Sequence, residues 1–184
     1  MRIEKPTVEE VRAARGNGIP DVLAKGLDVV FCGVNPGLYS AAVGCHFARP
    51  GNRFWPALRD SGFTECILRP QEQDRLLEYG LGVTNLVNRA TAVAAELSGA
   101  DLRRGRGVLK RKLARYRPSF VVVLGIGAYR SAFEAPEASI GAQSLRLHGA
   151  RVWLLPNPSG LNAHYQRSDL ARLFSELRER VRDS

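Results

Sequence analysis

The sequence has few cysteines and no long hydrophobic segment, and both features exclude whole classes of protein. Its three cysteines, Cys32, Cys45 and Cys66, form no Cys-x-x-Cys pair, which argues against a disulfide framework, a structural zinc site and a four-cysteine iron–sulfur cluster. No window approaches the roughly 18 apolar residues of a membrane span, and the first residues lack the apolar stretch of a signal peptide. We expect a cytoplasmic protein with reduced thiols and no membrane partner.

Several catalytic and cofactor motifs are also missing. Gly125-Ile126-Gly127 lacks the third glycine of a dinucleotide-binding loop, and no Gly-Lys-Ser/Thr phosphate-binding sequence occurs. The three histidines, His46, His148 and His164, are not spaced as metal ligands. Ser159 lies in Pro-Ser-Gly rather than in the Gly-x-Ser-x-Gly turn of a hydrolase nucleophile. We therefore expect neither a metal nor an organic cofactor.

Acidic residues are fewer than basic residues in this sequence. The chain has 27 Lys and Arg against 18 Asp and Glu, which gives a formal net charge of +9 and a pI near 10.1. Such an excess favours a polyanionic partner, because Lys and Arg neutralise phosphates and release counterions. Nucleic acid is the leading candidate, and an excess of solvated arginine without a ligand is the alternative.

The apolar pattern predicts one α/β domain. A length of 184 residues suits a single core, and short apolar runs alternate with amphipathic segments. We predict a three-layer α/β/α sandwich with a mostly parallel central sheet over residues 26–184, and an N-terminal arm or helix over residues 1–25. The predicted strands are 29–33, 82–87, 120–124 and 152–155, with a further candidate at 144–147, and the predicted helices are 53–60, 71–79, 101–116, 128–133 and one from about 167 onward.

Two strand-exit turns contain an Asn-Pro pair and a glycine. Gly33-Val34-Asn35-Pro36-Gly37-Leu38 follows the first apolar run, and Pro156-Asn157-Pro158-Ser159-Gly160 follows the last. The carboxyl ends of parallel strands meet at one edge of a sheet, where α/β proteins usually bind ligands. These residues also simply favour turns, but their occurrence after two hydrophobic strands indicates a shared cleft with Asn35 as its exposed amide.

Aromatic and basic residues are mixed just after the first turn, between Cys45 and Trp55. Stacking on a flat base requires an aromatic face beside groups that can bind the edge of the base. Phe47 lies nearest the turn and can supply that face. Phe54 and Trp55 begin a helical pattern, so we assign them to the core.

These motifs together resemble the mismatch-specific uracil and thymine DNA glycosylases within the uracil-DNA glycosylase superfamily. The first turn looks like that family's first motif, Asn52-Arg53-Phe54-Trp55 like its following block, and Leu155-Pro156-Asn157-Pro158-Ser159-Gly160-Leu161 like its second motif. The resemblance implies that the protein flips uracil, preferably mispaired with guanine, out of double-stranded DNA. The N-glycosidic bond is then hydrolysed and an abasic site is left.

Motif positions imply roles within a base pocket. Asn35 would hold the attacking water, which an amide can orient but not deprotonate near neutral pH. Backbone N–H groups near Val34 and Phe47 would stabilise the departing uracil anion. Phe47 would stack on the base and Asn157 would help to shape the pocket. Ser40 falls where the family adjusts the space beside C5 of the base, and the resemblance implies a strong preference for uracil over thymine.

The resemblance further implies a wedge made by Gly160, Leu161 and Asn162, which would fill the gap left by the flipped nucleotide. Some relatives carry an arginine two residues beyond the wedge leucine, where this chain has Ala163. Weaker pairing with the orphaned guanine would relax the dependence on a mismatch and widen the range of damaged bases, although Asn162 or His164 could compensate.

Two carboxylates outside the turns, Glu96 and Asp101, are further candidates to assist the water, and both also fit helix-start or surface positions. No lysine occupies either turn, so we expect a monofunctional enzyme without strand cleavage. We also expect a monomer. A different class of protein remains open at this point, namely a non-catalytic or product-trapping module that binds damaged DNA with the same fold. A hydrolase of free nucleosides is a third alternative.

Overall fold

The computed structural model describes residues 5–184, and residues 1–4 of the expected arm lie outside the described part. Two segments of 3₁₀-helix, Pro70–Tyr79 and Ala94–Glu96, accompany the regular elements. The helices are α1 (Val8–Ala13), α2 (Leu38–Val43), α3 (Phe54–Asp60), α4 (Gly99–Tyr116), α5 (Ile126–Phe133) and α6 (Arg167–Arg182), and the strands are β1 (Val29–Gly33), β2 (Leu81–Asn85), β3 (Phe120–Leu124), β4 (Gly141–Leu147) and β5 (Ala150–Leu155).

The strands form one five-stranded sheet in the order β2-β1-β3-β5-β4. All neighbours pair in parallel except β4, which is antiparallel to β5 at one edge. Every residue of β1, β2 and β3 is buried, as expected for parallel strands that are covered on both faces. The predicted α/β fold with a mostly parallel central sheet is confirmed.

Helices cover the two faces of the sheet and make the outer layers. One face packs against α3 and α6 through Phe54, Trp55 and Phe174. The other packs against α4 and α5 through residues such as Leu109 and Tyr129. The amphipathic pattern of α4 and α6 therefore matches the sides on which these helices lie.

The structure differs from the sequence-based elements where the chain turns toward the edge of the sheet. Helix α2 was not predicted, because its six residues are too short for a helical period to show. Strand β2 ends at Asn85, and Leu86 and Val87 continue only as backbone donors to the carbonyls of Gly33 and Val34. The segment from Pro70 is a 3₁₀-helix rather than an α-helix.

The segment that precedes β1 packs on the edge of the sheet. Helix α1 begins with a capping box between Thr7 and Glu10. Ile19 is buried, and Val22 exchanges two 2.9 Å backbone hydrogen bonds with Val83 of β2. Within residues 5–184, no helix is long and apolar enough to cross a lipid bilayer.

Candidate active site

A cavity of about 200 Å³ opens where the strand order reverses, at the carboxyl ends of β1, β2 and β3. The chain runs from β1 outward to β2 and then returns to β3 on the other side, so this crevice is the topological switch point where open α/β sheets bind ligands. The volume corresponds to about six or seven waters at roughly 30 Å³ each, which suits one small ring. The lining residues that matter below are Gly33, Val34, Asn35, Ser40, His46, Phe47, Asn85, Thr91, Asn157 and Leu161.

The side chain of Asn35 is held by its amide nitrogen. Nδ2 donates to Thr91 Oγ1 at 2.7 Å, to the Arg89 carbonyl at 2.9 Å and to the Pro36 carbonyl at 3.2 Å. Because all three partners accept hydrogen bonds, the amide atom that they surround is the nitrogen and not the oxygen. Within residues 5–184 no protein donor reaches Oδ1, so the oxygen is left to accept a hydrogen bond from a molecule in the cavity.

Thr91 completes this support, although the sequence analysis did not single it out. Its hydroxyl accepts from Asn35 and donates to the Val93 carbonyl at 2.9 Å, while its backbone N–H donates to the Pro36 carbonyl at 3.2 Å. Thr91 is 2% exposed, so both uses of the hydroxyl are shielded from water. The loop after β2 therefore fixes the amide at the end of β1.

Phe47 forms an aromatic wall of the cavity. One side of its ring packs on Phe54, with centroids 4.1 Å apart and an interplanar angle of 31°. Its φ of +53° is uncommon for a residue with a side chain, and such angles concentrate at ligand sites. Hydrogen bonds on either side hold the loop, because His46 N–H donates to Gln73 Oε1 at 2.8 Å and Ala48 N–H donates to Ser40 Oγ at 3.0 Å.

The backbone N–H groups of Val34 and Phe47 are available as donors. Among residues 5–184, neither is paired with a protein acceptor, whereas both neighbours of Phe47 are paired. Buried backbone donors almost always find a partner in a protein or in its ligand. This pair can therefore bind an acceptor atom of a ligand.

Asn85 is a second cavity amide, and the sequence analysis missed it. Its Nδ2 donates to His46 Nδ1 at 3.3 Å, and His46 Nε2 lies 3.0 Å from the Pro20 carbonyl. Because that carbonyl only accepts, Nε2 carries the proton and Nδ1 is the acceptor. The Asn85 Oδ1 therefore faces the cavity beside Gly33, where an added Cβ would lie 2.6 Å from it. Its position as a polar residue ending a buried strand was the available signal.

The environment of His46 favours the neutral ring. Burial lowers the pKa of His46 from its ordinary value of 6.5, because a buried imidazolium loses hydration. Asp21 acts in the opposite direction, but its carboxylate lies 2.7 Å from Lys112 Nζ. A neutral His46 keeps Nδ1 as an acceptor for Asn85.

The loop after β5 carries Asn157 and the predicted wedge. Asn157 Oδ1 accepts from Ser159 N–H at 3.0 Å, and the Asn157 carbonyl accepts from Asn162 Nδ2 at 3.0 Å. Gly160 and Leu161 form the tip of this loop, and Leu161 is 69% exposed. Leu161 therefore presents a large apolar side chain to solvent at the rim of the cavity.

The two carboxylates that sequence reasoning offered as assistants do not line the cavity. Glu96 accepts hydrogen bonds from Ala92 N–H and Val93 N–H and pairs with Arg15. Asp101 caps α4 through Ser98, whose hydrogen bonds are the main reason that its pKa falls to about 2, and it also pairs with Arg89 and Arg104. Both carboxylates anchor the loop between β2 and α4, whose Arg89 carbonyl and Thr91 hydroxyl hold Asn35.

The structure thus brings most of the predicted site residues together. Val34, Asn35, Ser40, Phe47 and Asn157 line one cavity, and Leu161 stands at its edge. Gly160 and Asn162 belong to the same loop as Leu161.

Comparisons with known proteins bear on the family and the fold. A family model described as the uracil DNA glycosylase superfamily matches residues 20–182. The solution NMR structure of a provisionally named uracil DNA glycosylase from Methanosarcina acetivorans shares the fold, with a TM-score of 0.60 at 16% sequence identity, and the match covers 89% of this chain and 98% of that one. The family match extends from before β1 into α6 and includes both turns of the cavity, so this chain belongs to the uracil DNA glycosylase superfamily.

Proposed function

We propose that this protein is a monofunctional DNA glycosylase that excises uracil, preferably opposite guanine, from double-stranded DNA. Membership of the superfamily supports a glycosylase that hydrolyses N-glycosyl bonds in DNA. The observation that carries the finer proposal is the orientation of Asn35. Its amide nitrogen is bound to three protein acceptors, its oxygen accepts from no protein donor within residues 5–184, and the residue lines a cavity of about 200 Å³.

In the proposed mechanism, Asn35 Oδ1 accepts a hydrogen bond from a water and holds it against the anomeric carbon. An amide is not a base near neutral pH, so the glycosidic bond must break largely before the water attacks. The bonding electron pair leaves with N1 of uracil, the water oxygen bonds to C1′, and its proton passes to solvent. Positioning of the water is the contribution of Asn35, and correct orientation alone is worth several orders of magnitude in rate.

Backbone donors of two residues that line the cavity would stabilise the leaving group. The N–H groups of Val34 and Phe47, which have no protein acceptor among residues 5–184, would donate to the uracil O2 as negative charge develops there. Preorganised donors aimed at developing charge make one of the largest contributions to catalysis. The Phe47 ring, backed by Phe54, would stack on the base.

Asn85 gives the pocket its preference for uracil. Its Oδ1 can accept the N3–H of uracil, whereas cytosine has an unprotonated acceptor at N3 and would place two acceptors in contact. His46 holds the amide in this orientation through Nδ1. When the wrong substrate leaves a buried polar group of the site without a hydrogen-bond partner, the site discriminates strongly against that substrate.

Entry of the base depends on the wedge. Leu161, exposed in the free protein, would enter the stack beside Gly160 and Asn162 as the nucleotide leaves, and so replace the stacking that is lost. A mispaired uracil costs less free energy to flip than a paired one, which favours uracil opposite guanine over uracil opposite adenine.

Discrimination against thymine is assigned to Ser40. Its hydroxyl accepts from Ala48 N–H, fixes the loop beside the base and limits the space for the methyl group of thymine.

A substrate panel tests the proposed function. Purified protein should release base under single-turnover conditions from duplexes with uracil opposite guanine, more slowly from uracil opposite adenine, and slowest from thymine opposite guanine. The strand should remain intact until alkali is added, because no lysine is present in either turn. Tight binding to every duplex without release of base would instead indicate the product-trapping module.

A further inference from the structure

Arg53 lies beneath the wedge loop and binds several of its carbonyls. Its guanidinium donates to the carbonyls of Tyr165 at 2.7 Å and Asn162 at 2.9 Å, with longer contacts to those of Gly160 at 3.4 Å and Ser159 at 3.5 Å. A guanidinium has five N–H donors in a rigid plane. One side chain therefore ties together the chain before, within and after the wedge.

The backbone of the same segment also contacts the loop closely. Arg53 N–H donates to the Pro158 carbonyl at 2.9 Å. A Cβ built on Gly160 would lie 2.5 Å from the Gly51 carbonyl oxygen, so the two chains touch where only glycine fits. The Gly51-to-Arg53 segment, which immediately precedes α3, thus supports the wedge loop.

The charge of Arg53 is not neutralised by its contacts. Across the described residues 5–184, no carboxylate lies within ion-pair distance of its guanidinium, in contrast to Arg104 and Arg167. Carbonyl oxygens satisfy its N–H groups but leave a net positive charge directly under the wedge. That charge favours the approach of a phosphate backbone. It also attracts the partially negative carbonyl oxygens of the wedge loop and so strengthens their hydrogen bonds to the guanidinium.

We propose that Arg53 is a positioning residue for base flipping, which holds the wedge loop in the shape that presents Leu161 to the duplex. This inference rests on the proposed function, because it assigns Arg53 to the step in which the base leaves the stack. A role limited to this step has a specific consequence. Loss of Arg53 should slow release from duplex DNA much more than release from a single strand, where no stack has to be opened.

The test compares Arg53→Met, Arg53→Lys and the control Arg59→Met. Arg59 lies in α3, is exposed and, among residues 5–184, pairs only with Asp60, so its removal controls for the loss of one positive charge. We expect Arg53→Met to lower the duplex to single-strand rate ratio by about tenfold or more, because charge-assisted hydrogen bonds are the strong ones. Arg53→Lys should recover binding to DNA but not this ratio, since an ammonium cannot span the carbonyls.

A double-mutant cycle separates positioning from general damage. If Arg53 acts through the wedge, Leu161→Ala should reduce the same ratio, and Arg53→Met should add little to it. Equal losses on duplex and single strand, or multiplicative effects of the two substitutions, would overturn the inference. The wild-type protein in the same assay reports on the proposed function separately, since absence of any release by wild type would refute that function and not the bracing of the loop.

Hydrogen exchange in the free protein tests the bracing without any substrate. Amides of residues 159–162 should exchange faster in Arg53→Met than in wild type, while Arg59→Met leaves them unchanged. Unchanged exchange in Arg53→Met would show that the guanidinium does not hold the loop.

Discussion

At the residue scale, the site depends on two asparagines whose amides are both held by the protein through the nitrogen. Asn35 is bound through its nitrogen by the loop after β2, and Asn85 is bound through its nitrogen by His46. In both, the oxygen is left for the cavity. The first oxygen has a water as its proposed partner and the second has the N3–H of the base.

Replacing Asn85 tests the assignment of base recognition. Asn85→Ala should lower the single-turnover rate on uracil opposite guanine by about tenfold or more, because a buried donor of the base then has no acceptor. Asn17→Ala is the matched control, since Asn17 is exposed and lies outside the cavity lining. An Asn85→Ala protein that retained the wild-type rate on uracil would contradict the role given to its Oδ1.

Asn35, Phe47 and Leu161 could be predicted from the sequence because each belongs to a contiguous motif. The contacts of Thr91 and Asn85 could not be predicted, since they are hydrogen bonds to residues 56 and 39 positions away. The sequence marks Asn85 only as a polar residue that ends a buried strand. Such pairs depend on the register of the sheet, which local periodicity does not contain. The positive φ of Phe47 is likewise a property of the folded loop.

At the scale of elements, the loop between β2 and α4 positions Asn35, and its carboxylates anchor that loop. Glu96 binds backbone N–H groups of the loop, and Asp101 joins it to the start of α4. The pKa of each is lowered by hydrogen bonds and ion pairs. A carboxylate held as its anion by such partners is a weak base toward water.

Substitutions of these carboxylates distinguish anchoring from catalysis. Glu96→Gln and Asp101→Asn should each lose less than the roughly hundredfold in rate that removal of a general base typically causes. The rate should also keep its wild-type dependence on pH, because the titrating group is not part of the reaction. A loss in either variant as large as that of Asn35→Ala would assign the carboxylate to the chemistry.

At the scale of the whole molecule, the continuous apolar runs of β1 and β3 made the parallel sheet predictable. The turns that follow these runs indicated the edge of the sheet at which the cavity lies. The basic composition agreed with membership of a DNA-acting family. The antiparallel edge strand β4 was only partly predictable. Most of its residues are exposed or half-buried, so it lacks the apolar run that marks the central strands.

The buried His46 connects the site to the stability of the whole fold. Its folded-state pKa lies below 6.5, so the unfolded chain binds a proton first as pH falls, and stability is lost between 6.5 and the folded pKa. The urea midpoint should therefore fall between pH about 7.5 and about 5.5. His46→Gln, which cannot take up that proton, should show a smaller decrease. Equal decreases in the two proteins would contradict the assignment.

The central claim is that Asn35 positions the water that attacks the sugar. Its most direct test is single-turnover release of uracil from a uracil:guanine duplex by wild type and by Asn35→Ala, with DNA binding measured on the same duplex. We predict a loss of rate of about a hundredfold or more, as expected when a reactant is misplaced, with binding within about threefold of wild type because the phosphate contacts remain. An Asn35→Ala protein that released uracil at the wild-type rate would contradict the account.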